Sequence, residues 1–174
     1  AWAIGGWMWG GTDMQQSVEA IRKSIDMGVT SIDTAPVYGF GLSEKIVGEA
    51  LRGVLRNSVQ ILTKFGLRWD VAKGKFHFKS QDLDNKDIDI YKFASKGSII
   101  YECNESLKRL NTDYIDLYQI HWPDESTPIE ESMEALMILK DQGKIKHGAV
   151  CNYNMDQMKQ AEKKLHLASK QVPY

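Results

Sequence analysis

The chain has 174 residues, 43% of them hydrophobic, so its length suits one domain with a sizeable core and its composition excludes a disordered protein. The 22 basic residues nearly balance the 23 acidic ones, so the net charge offers no attraction for nucleic acid or an anionic membrane surface. No apolar run approaches the roughly 20 residues that span a bilayer, and the two distant cysteines, Cys103 and Cys151, match no metal or redox spacing, which favours a reducing cytoplasm and predicts no metal site.

The first third of the chain predicts two strands that alternate with two helices. Asp13 and Gln16 have the spacing of a capping box, and Gly28 is placed to end the helix that they begin. In both predicted helices, apolar residues recur on one face, as in helices that pack against a sheet. The predicted elements are a strand and a Gly- and Trp-rich loop at 1–11, a helix at 13–28, a strand at 29–33 and a helix at 43–55.

The stretch from Ser31 to Glu44 joins the second predicted strand to the second helix. It breaks at Pro36, turns through glycines, and places Asp33 at the end of the strand and Tyr38 in the loop beyond it. In parallel α/β proteins, chemistry takes place at the carboxyl ends of the strands. We therefore expect Asp33 and Tyr38 to lie at the functional edge of the sheet.

A third predicted strand at 60–64 ends in Lys64, and the regular alternation then stops. Residues 66–97 mix charges and aromatics without a clear period. We interpret them as a long loop excursion at the rim of the active site, where such insertions often help to form a binding site. A mobile, solvated loop is an equally open alternative.

The last part of the chain restores the alternation of helices and strands. A strand ends in His121, and Thr127 and Pro128 have the spacing of the N-cap and N1 residues of a helix. Asn154 and Gln157 predict the start of a later helix. The predicted elements are a helix capped by Ser98, a strand at 114–121, a helix at 127–143, a strand at 145–150, a helix from 154 and the first residues of a strand at 171–174.

Strands and helices alternate at the spacing of βα units in a parallel sheet. No Gly-x-Gly-x-x-Gly follows the first predicted strand, so the sequence lacks the fingerprint of a dinucleotide-binding Rossmann fold. We therefore predict an α/β protein with a parallel (β/α)8 TIM barrel, in which residues 1–174 form a single, partial domain. Such barrels take about 250 residues, and this chain supplies about five βα units and the start of a sixth strand.

Polar side chains end three successive predicted strands, and a phenol follows the first of these. The four residues are Asp33, Tyr38, Lys64 and His121. Each alone has an ordinary explanation, as a turn cap, a packing tyrosine, a solvent-facing lysine or a core histidine. A barrel would gather all four at one rim, and that coincidence is hard to explain by packing.

This combination suits the donation of a proton to a carbonyl. An ammonium about 4 Å from the Tyr38 phenol would favour the phenolate by up to ~4 kcal/mol at an effective dielectric of ~20, whereas burial favours the neutral phenol. Asp33 can keep Lys64 charged, and His121 can donate a second hydrogen bond to the carbonyl oxygen. Because no side chain supplies hydride, the chemistry implies a nicotinamide cofactor. As an alternative, Lys64 could form a Schiff base with a carbonyl substrate.

Several stretches of the sequence, in the order of the family's motifs, resemble the aldo-keto reductase superfamily. They are Ile32–Gly39 with Ser43, Glu44 and Gly48, then Thr63–Lys64, Asp113–Pro123 and Gly148–Tyr153. The resemblance covers almost the whole chain and implies a (β/α)8 barrel that reduces aldehydes and ketones to alcohols with NADPH. It also implies a catalytic tetrad, with Tyr38 as the acid, that consists of Asp33, Tyr38, Lys64 and His121.

The resemblance implies binding residues as well. They are Trp7, Trp9 and Trp122 in the substrate pocket, and Asp33, Asn152 and Gln171 at the cofactor, the last two at the nicotinamide carboxamide. The three tryptophans could instead be ordinary packing at the end of the barrel. Cys151 stands where the family often has Ser, and because a thiol is a weaker hydrogen-bonding group we interpret it as a small core residue.

Members of the family continue for two further βα units, whose loops hold the pyrophosphate and adenosine of the cofactor. If the molecule lacks these units, we expect open sheet edges at the first and sixth predicted strands, which invite self-association. The other expected partner is a small-molecule carbonyl substrate, with neither nucleic acid nor a membrane. The alternative function is that of a non-catalytic barrel or fragment of this type, which serves as a binding or regulatory subunit.

Overall fold

Strands and α-helices alternate along the computed structural model, which describes residues 1–172. The strands are β1 (Ser31–Asp33), β2 (Gln60–Phe65), β3 (Leu67–Arg68), β4 (Lys75–Gln81), β5 (Asp87–Lys92), β6 (Ile115–Ile120), β7 (Ile145–Cys151) and β8 (Lys170–Gln171). The helices are α1 (Met14–Asp26), α2 (Leu42–Ala50), α3 (Lys96–Leu110), α4 (Ile129–Asp141) and α5 (Met155–Glu162). The sixth predicted strand begins as β8, and its last two predicted residues, at 173–174, lie outside the described part of the chain.

The larger sheet has five parallel strands in the order β1-β2-β6-β7-β8. Neighbouring strands of this sheet are joined by helices, which is the connectivity of a (β/α)8 barrel. The predicted fold class is therefore confirmed, with about half of such a barrel in the described residues. Strand β1, which is the second predicted strand, and β8, which is the sixth, each have one partner in this sheet. The first predicted strand, at which the other open edge was expected, is absent from residues 1–11, and self-association stays a prediction.

The hydrophobic core lies between the parallel sheet and its helices. Helix α4 shows the pattern: Met133, Leu136 and Leu139 recur every three residues, are fully buried, and belong to an element that contacts β7. Burying a side chain of this size contributes roughly 1.5–3 kcal/mol. The helices are therefore held in place mainly by packing of their apolar faces rather than by intrinsic propensity.

Two predicted helix starts and one helix end are confirmed. The Asp13 carboxylate accepts a hydrogen bond of 2.9 Å from the backbone N–H of Gln16 at the start of α1. Asn154 and Gln157 form a reciprocal capping box at α5, in which both hydrogen bonds are 2.9 Å long. Gly28 follows α1 with a φ of 94°, a conformation that glycine adopts without strain.

Two other predicted caps are wrong, because each hydroxyl has a different partner. The N-cap of α3 is Ser95 and not Ser98, whose hydroxyl donates to the buried carboxylate of Glu102 at 3.1 Å. The N-cap of α4 is Pro128 and not Thr127, whose hydroxyl donates to a neighbouring buried carboxylate. Each carboxylate lies within four residues of the hydroxyl, and each is also bound by a distant backbone N–H, from Gly66 to Glu102 and from Ala94 to Asp124, which the local spacing did not reveal.

The predicted first strand is also wrong, because residues 1–11 contain a 3₁₀ turn, Ala3–Gly5, followed by further turns. The turn packs directly against the loop that follows β1. A Cβ on Gly5 would lie 2.5 Å from the carbonyl carbon of Tyr38, and one on Gly39 would overlap the carbonyl oxygen of Gly5. This close approach of the two backbones leaves no room for a side chain at either position, so the glycines of this segment serve the contact of a turn with the loop after β1.

Residues 66–97 contain a three-stranded antiparallel sheet, in the order β3-β5-β4, where the sequence predicted a loop. Strand β4 has a bulge between Phe76 and Phe78. The bulge breaks the two-residue alternation from which strands are predicted, which explains why no period was visible. The backbone N–H of Gly66 donates to the buried Glu102 at 3.0 Å and fixes the base of this sheet to α3.

Within residues 1–172, no helix is both long enough and apolar enough to cross a membrane. The same part of the chain has no cluster of three His, Cys, Asp or Glu side chains that could hold a metal ion. Both cysteines are free and buried. A cytoplasmic location stays a prediction.

Candidate active site

A cavity of about 460 Å³ opens at the carboxyl ends of the parallel strands. Its polar lining comes from residues that end these strands or follow them, namely Tyr38, Lys64, His121, Asn152 and Gln171. Parallel strands all end at the same edge of a sheet, so residues that are far apart in the sequence meet there. This is the edge at which the sequence placed the candidate catalytic residues.

Lys64 lies buried at the centre of this edge and binds two oxygens. Its Nζ forms an ion pair of 2.6 Å with Oδ1 of Asp33 and donates to the carbonyl oxygen of Thr34 at 3.0 Å. The Lys64 side chain is 2% exposed and that of Asp33 is 34% exposed, so the carboxylate connects the buried ammonium to solvent. Because Nζ is engaged as a donor to both oxygens, the geometry favours an electrostatic role over attack on a carbonyl as a Schiff-base nucleophile.

Tyr38 lies close to both the ammonium of Lys64 and the ring of His121. The Nζ of Lys64 is 5.2 Å from the centroid of the Tyr38 ring, and the Tyr38 and His121 centroids are 5.7 Å apart at an interplanar angle of 81°. A backbone hydrogen bond of 2.7 Å, from Gly41 to Pro36, closes the loop that carries Tyr38. The four predicted tetrad residues therefore lie together, and their catalytic roles stay a prediction.

Burial raises the pKa of Tyr38 well above the usual value for a phenol, and the carboxylate of Asp33 raises it further. Tyr38 is therefore protonated at neutral pH, as a proton donor must be. From the sequence we expected the ammonium of Lys64 to lower the pKa of Tyr38 and burial to raise it. In the structure the pKa of Tyr38 is raised, with burial as the main cause, so the charge of Lys64 does not bring that pKa toward neutrality.

His121 is neutral at physiological pH. Burial lowers the pKa of its imidazole to about 3, and the nearby charge of Lys64 contributes to the decrease. Its backbone is fixed on both sides, because its N–H donates to the carbonyl oxygen of Phe65 at 2.9 Å and its carbonyl accepts from the Asn152 amide at 2.9 Å. A neutral imidazole held in this way can donate a hydrogen bond without carrying a charge.

This depressed pKa predicts how stability depends on pH. We expect the free energy of unfolding to fall as the pH decreases from 6.5 toward 3, because the unfolded chain binds a proton at His121 that the folded chain resists. Between pH 7 and pH 4.5, the free energy of unfolding of the His121→Phe variant should fall by about 2 kcal/mol less than that of the wild type. Urea unfolding at the two pH values measures this difference.

The exposed His147 supplies a matched control for that experiment. We expect the His147→Gln variant to unfold at the wild-type urea concentration at pH 7, which controls for the loss of a histidine at the surface. Equal slopes for the wild type and His121→Phe would show that His121 does not resist protonation in the folded protein.

Two of the three predicted cofactor-binding residues, Asn152 and Gln171, meet where β7 and β8 end, whereas the third, Asp33, lies at the end of β1. The backbone N–H of Asn152 donates to the carbonyl oxygen of Gln171 at 3.0 Å, and Asn152 has a φ of 60°. Cys151 lies between them and the core: it is 2% exposed, and its thiol lies 3.5 Å from Oε1 of Gln171 and 3.9 Å from Oε1 of Gln119. Burial raises the pKa of the Cys151 thiol to about 11, so the thiol is neutral.

Two of the three predicted pocket tryptophans line the cavity and one does not. Trp7 and Trp122 are part of its wall. Trp9 is 55% exposed and packs edge-on against Trp2, with 5.6 Å between the ring centroids. The turn through Met8, which has a φ of 64°, separates the directions of Trp7 and Trp9, and Trp2 takes the expected place in the cavity wall.

Sequence reasoning also missed pocket residues that come from the antiparallel sheet. Leu67 and Phe78 line the cavity, and Phe78 packs against Trp7 with 6.2 Å between the ring centroids. The available signal was the apolar and aromatic content of residues 66–97, but the bulge concealed which of these residues share a face. Predicting the excursion as a participant in the binding site was thus possible, whereas naming its contributing side chains was not.

A model of the Aldo/keto reductase family matches residues 2–174 of the chain. The aldo-keto reductase YhdN of Bacillus subtilis is 45% identical over 174 residues, which are 99% of this chain and 48% of that protein. The NADH-specific methylglyoxal reductase of Escherichia coli is 40% identical over 164 residues, which are 91% of this chain and 48% of that protein.

Solved structures show the same similarity. The glycerol dehydrogenase AKR11B4 from Gluconobacter oxydans is 43% identical with a TM-score of 0.85, over 99% of this chain and 49% of that one. An aldo/keto reductase from Klebsiella pneumoniae, in complex with NADP and acetate, is 32% identical with a TM-score of 0.71, over 92% of this chain and 49% of that one. The chain therefore spans about half the length of these relatives.

Proposed function

The chain belongs to the aldo/keto reductase family, and from this premise we propose that it reduces the carbonyl group of aldehydes or ketones to an alcohol, using NADPH and a proton from Tyr38. The observation that carries the proposal is the meeting of a phenol, a buried ion pair and a neutral imidazole at one cavity. The relatives whose names state an activity include a methylglyoxal reductase and a glycerol dehydrogenase, and both names describe oxidoreductases of carbonyl–alcohol pairs.

Each polar residue of the cavity has a distinct part in the proposed reaction. Tyr38 donates its proton to the carbonyl oxygen as negative charge develops there, which general acid catalysis requires. The ammonium of Lys64, paired with Asp33, stabilises the phenolate that remains. The neutral imidazole of His121 donates a second hydrogen bond to the same oxygen and orients the substrate.

The residues present fit the nicotinamide end of a dinucleotide. Asn152 and Gln171 bring carboxamide groups to the cavity wall beside Lys64, and carboxamides suit the donors and acceptors of a nicotinamide carboxamide. When bound, the reduced nicotinamide supplies hydride to the carbonyl carbon. NADPH is our choice because structural relatives were crystallised with NADP and NADPH, although one relative is named as NADH-specific.

A second candidate function is that of a non-catalytic binding or regulatory subunit. The observation that favours it is that β1 and β8 each have one partner in the parallel sheet of the described residues, because an unpaired strand edge can pair with another chain. Most of the contacts that hold the rest of a dinucleotide would then have to come from elsewhere. The two candidates differ in whether this chain binds a nicotinamide cofactor by itself.

We expect the purified chain to oxidise NADPH when a small aldehyde such as propanal is added, and not without it. The decrease in absorbance of the reduced nicotinamide measures the reaction, and NADH in place of NADPH tests the choice of cofactor. Titration by nicotinamide fluorescence gives the binding step separately. No turnover with either cofactor, together with no binding at high micromolar concentrations, would contradict reduction and favour the binding subunit.

A further inference from the structure

Strand β4 contains one residue that has no partner of its own in the neighbouring strand. The pairing of β4 with β5 passes from Phe76 opposite Tyr91 to Phe78 opposite Ile90, so His77 is the extra residue of a β-bulge. In a regular strand, consecutive side chains point to opposite faces. A bulge disturbs this alternation and changes the direction of a side chain.

The bulge turns two consecutive aromatic side chains to the same side of β4. The ring centroids of His77 and Phe78 are 4.9 Å apart, which is too close for side chains on opposite faces of a strand. Phe76 is 47% exposed and packs on Tyr91, with 6.0 Å between the centroids. Phe76 therefore lies on the outward face of β4, whereas His77 and Phe78 both lie on its inward face.

Each of these inward side chains contacts a different tryptophan of the cavity wall. Phe78 stacks on Trp7 with centroids 6.2 Å apart and an interplanar angle of 15°. His77 packs on Trp122 with centroids 5.3 Å apart and an interplanar angle of 53°. We call Trp7 and Trp122 the wall tryptophans.

Hydrogen bonds add a second attachment of Trp7 to the same strand. Its indole N–H lies 3.0 Å from the hydroxyl of Ser80 and 3.1 Å from the carbonyl oxygen of Gln81, and both acceptors belong to β4. The wall tryptophans come from distant parts of the chain, yet β4 contacts both. Strand β4 is therefore the shared support of both wall tryptophans.

We propose that β4 is the specificity element of this pocket: through the bulge at His77 it holds both wall tryptophans and sets the width of the apolar gap that a carbonyl substrate must enter. The inference deepens the proposed reductase function and rests on it. Phe78 forms part of the wall, and His77 is a positioning residue that acts through Trp122. Because the wall tryptophans and Phe78 make this part of the cavity apolar, the substrates admitted are carbonyl compounds with an apolar part whose width this gap limits.

The test compares Phe78→Ala and His77→Ala with Phe76→Ala as a matched control. Phe76 is on the same strand, is 47% exposed, and packs on Tyr91 rather than on a wall tryptophan. Its replacement by Ala therefore also removes an aromatic contact from β4, but on the outward face. The variant His77→Phe keeps an aromatic ring at the bulge and should restore the wild-type behaviour. All measurements use the 174-residue chain.

The first readout does not depend on turnover. The chain is labelled with 5-fluorotryptophan, and each fluorine resonance is assigned by replacing one tryptophan with Phe. We expect Phe78→Ala to shift or broaden the resonance of Trp7, and His77→Ala that of Trp122, with no change of either in Phe76→Ala. Unchanged resonances in the first two variants, or equal changes in the control, would overturn the inference.

The second readout is selectivity, expressed as the ratio of kcat/KM for 2-naphthaldehyde to that for propanal. We expect this ratio to rise by about tenfold or more in Phe78→Ala and His77→Ala, and to stay at the wild-type value in Phe76→Ala and His77→Phe. An unchanged ratio in an active chain would overturn the inference. If the wild type reduces neither aldehyde, the proposed function fails, and the fluorine resonances still decide whether β4 positions the walls.

Discussion

Replacement of Tyr38 with Phe is expected to lower kcat for aldehyde reduction by about 10²- to 10⁴-fold, the range that general acid catalysis contributes. The substitution removes one oxygen and keeps the ring that packs on His121 and lies over the Lys64 ammonium. Affinity for the nicotinamide cofactor should remain within about twofold, because Asn152 and Gln171 are unchanged. Steady-state kinetics and fluorescence titration measure the two effects separately.

Tyr101 provides the control for this experiment. It is 51% exposed, and its ring lies 5.1 Å from the Arg68 guanidinium on the outer side of α3. We expect Tyr101→Phe to retain wild-type kcat, since its hydroxyl has no part in the proposed reaction. A Tyr38→Phe variant that turned over at the wild-type rate would refute Tyr38 as the proton donor.

Replacement of Lys64 with Met has the second large expected effect. Removing one preorganised charge from an active site typically lowers kcat by about 10²- to 10³-fold, and Lys64→Met removes the ammonium that would stabilise a Tyr38 phenolate. Stability should change less, by about 1–3 kcal/mol, because the side chain of Asp33 is 34% exposed and water can replace its partner. Kinetics and urea unfolding measure these two losses.

The substitution Asp33→Asn tests the same ion pair by removing the charge of the other partner. It leaves the ammonium of Lys64, which is 2% exposed, without a counter-charge, and the expected cost to stability is therefore larger, about 3–5 kcal/mol. The double variant Lys64→Met/Asp33→Asn should cost less than the sum of the single changes, because neither partner is left alone. Strictly additive losses would show that the 2.6 Å contact carries no coupling energy.

Much of the site was predictable because it depends on topology alone. Asp33, Lys64 and His121 each end an apolar run, and parallel strands linked by helices must end at one edge. Knowing the order of strands and helices was therefore sufficient to place these side chains together. The caps at Asp13 and Asn154 were predictable for a similar reason, since both depend on contacts within a few residues.

The antiparallel sheet was not predictable from the same signals. The contact of β4 with the pocket depends on the bulge at His77. One extra residue in a strand shifts the two-residue alternation, so the residues before the bulge lie on the opposite face from the one that the pattern after it predicts. The wrong caps at Ser98 and Thr127 have a related cause, because each hydroxyl donates to a carboxylate that a distant backbone N–H, of Gly66 or of Ala94, also binds in the folded chain.

The sequence alone determined the alternation of strands and helices, the family motifs and the residue types at the carboxyl edge, because these depend on local periodicity and on the order of elements. Tertiary structure alone decided that Trp2 and not Trp9 lines the cavity, that burial keeps Tyr38 protonated and His121 neutral, and that β4 supports both wall tryptophans. Burial, ring contacts and strand faces depend on which distant segments pack together. No local pattern in the chain records that information.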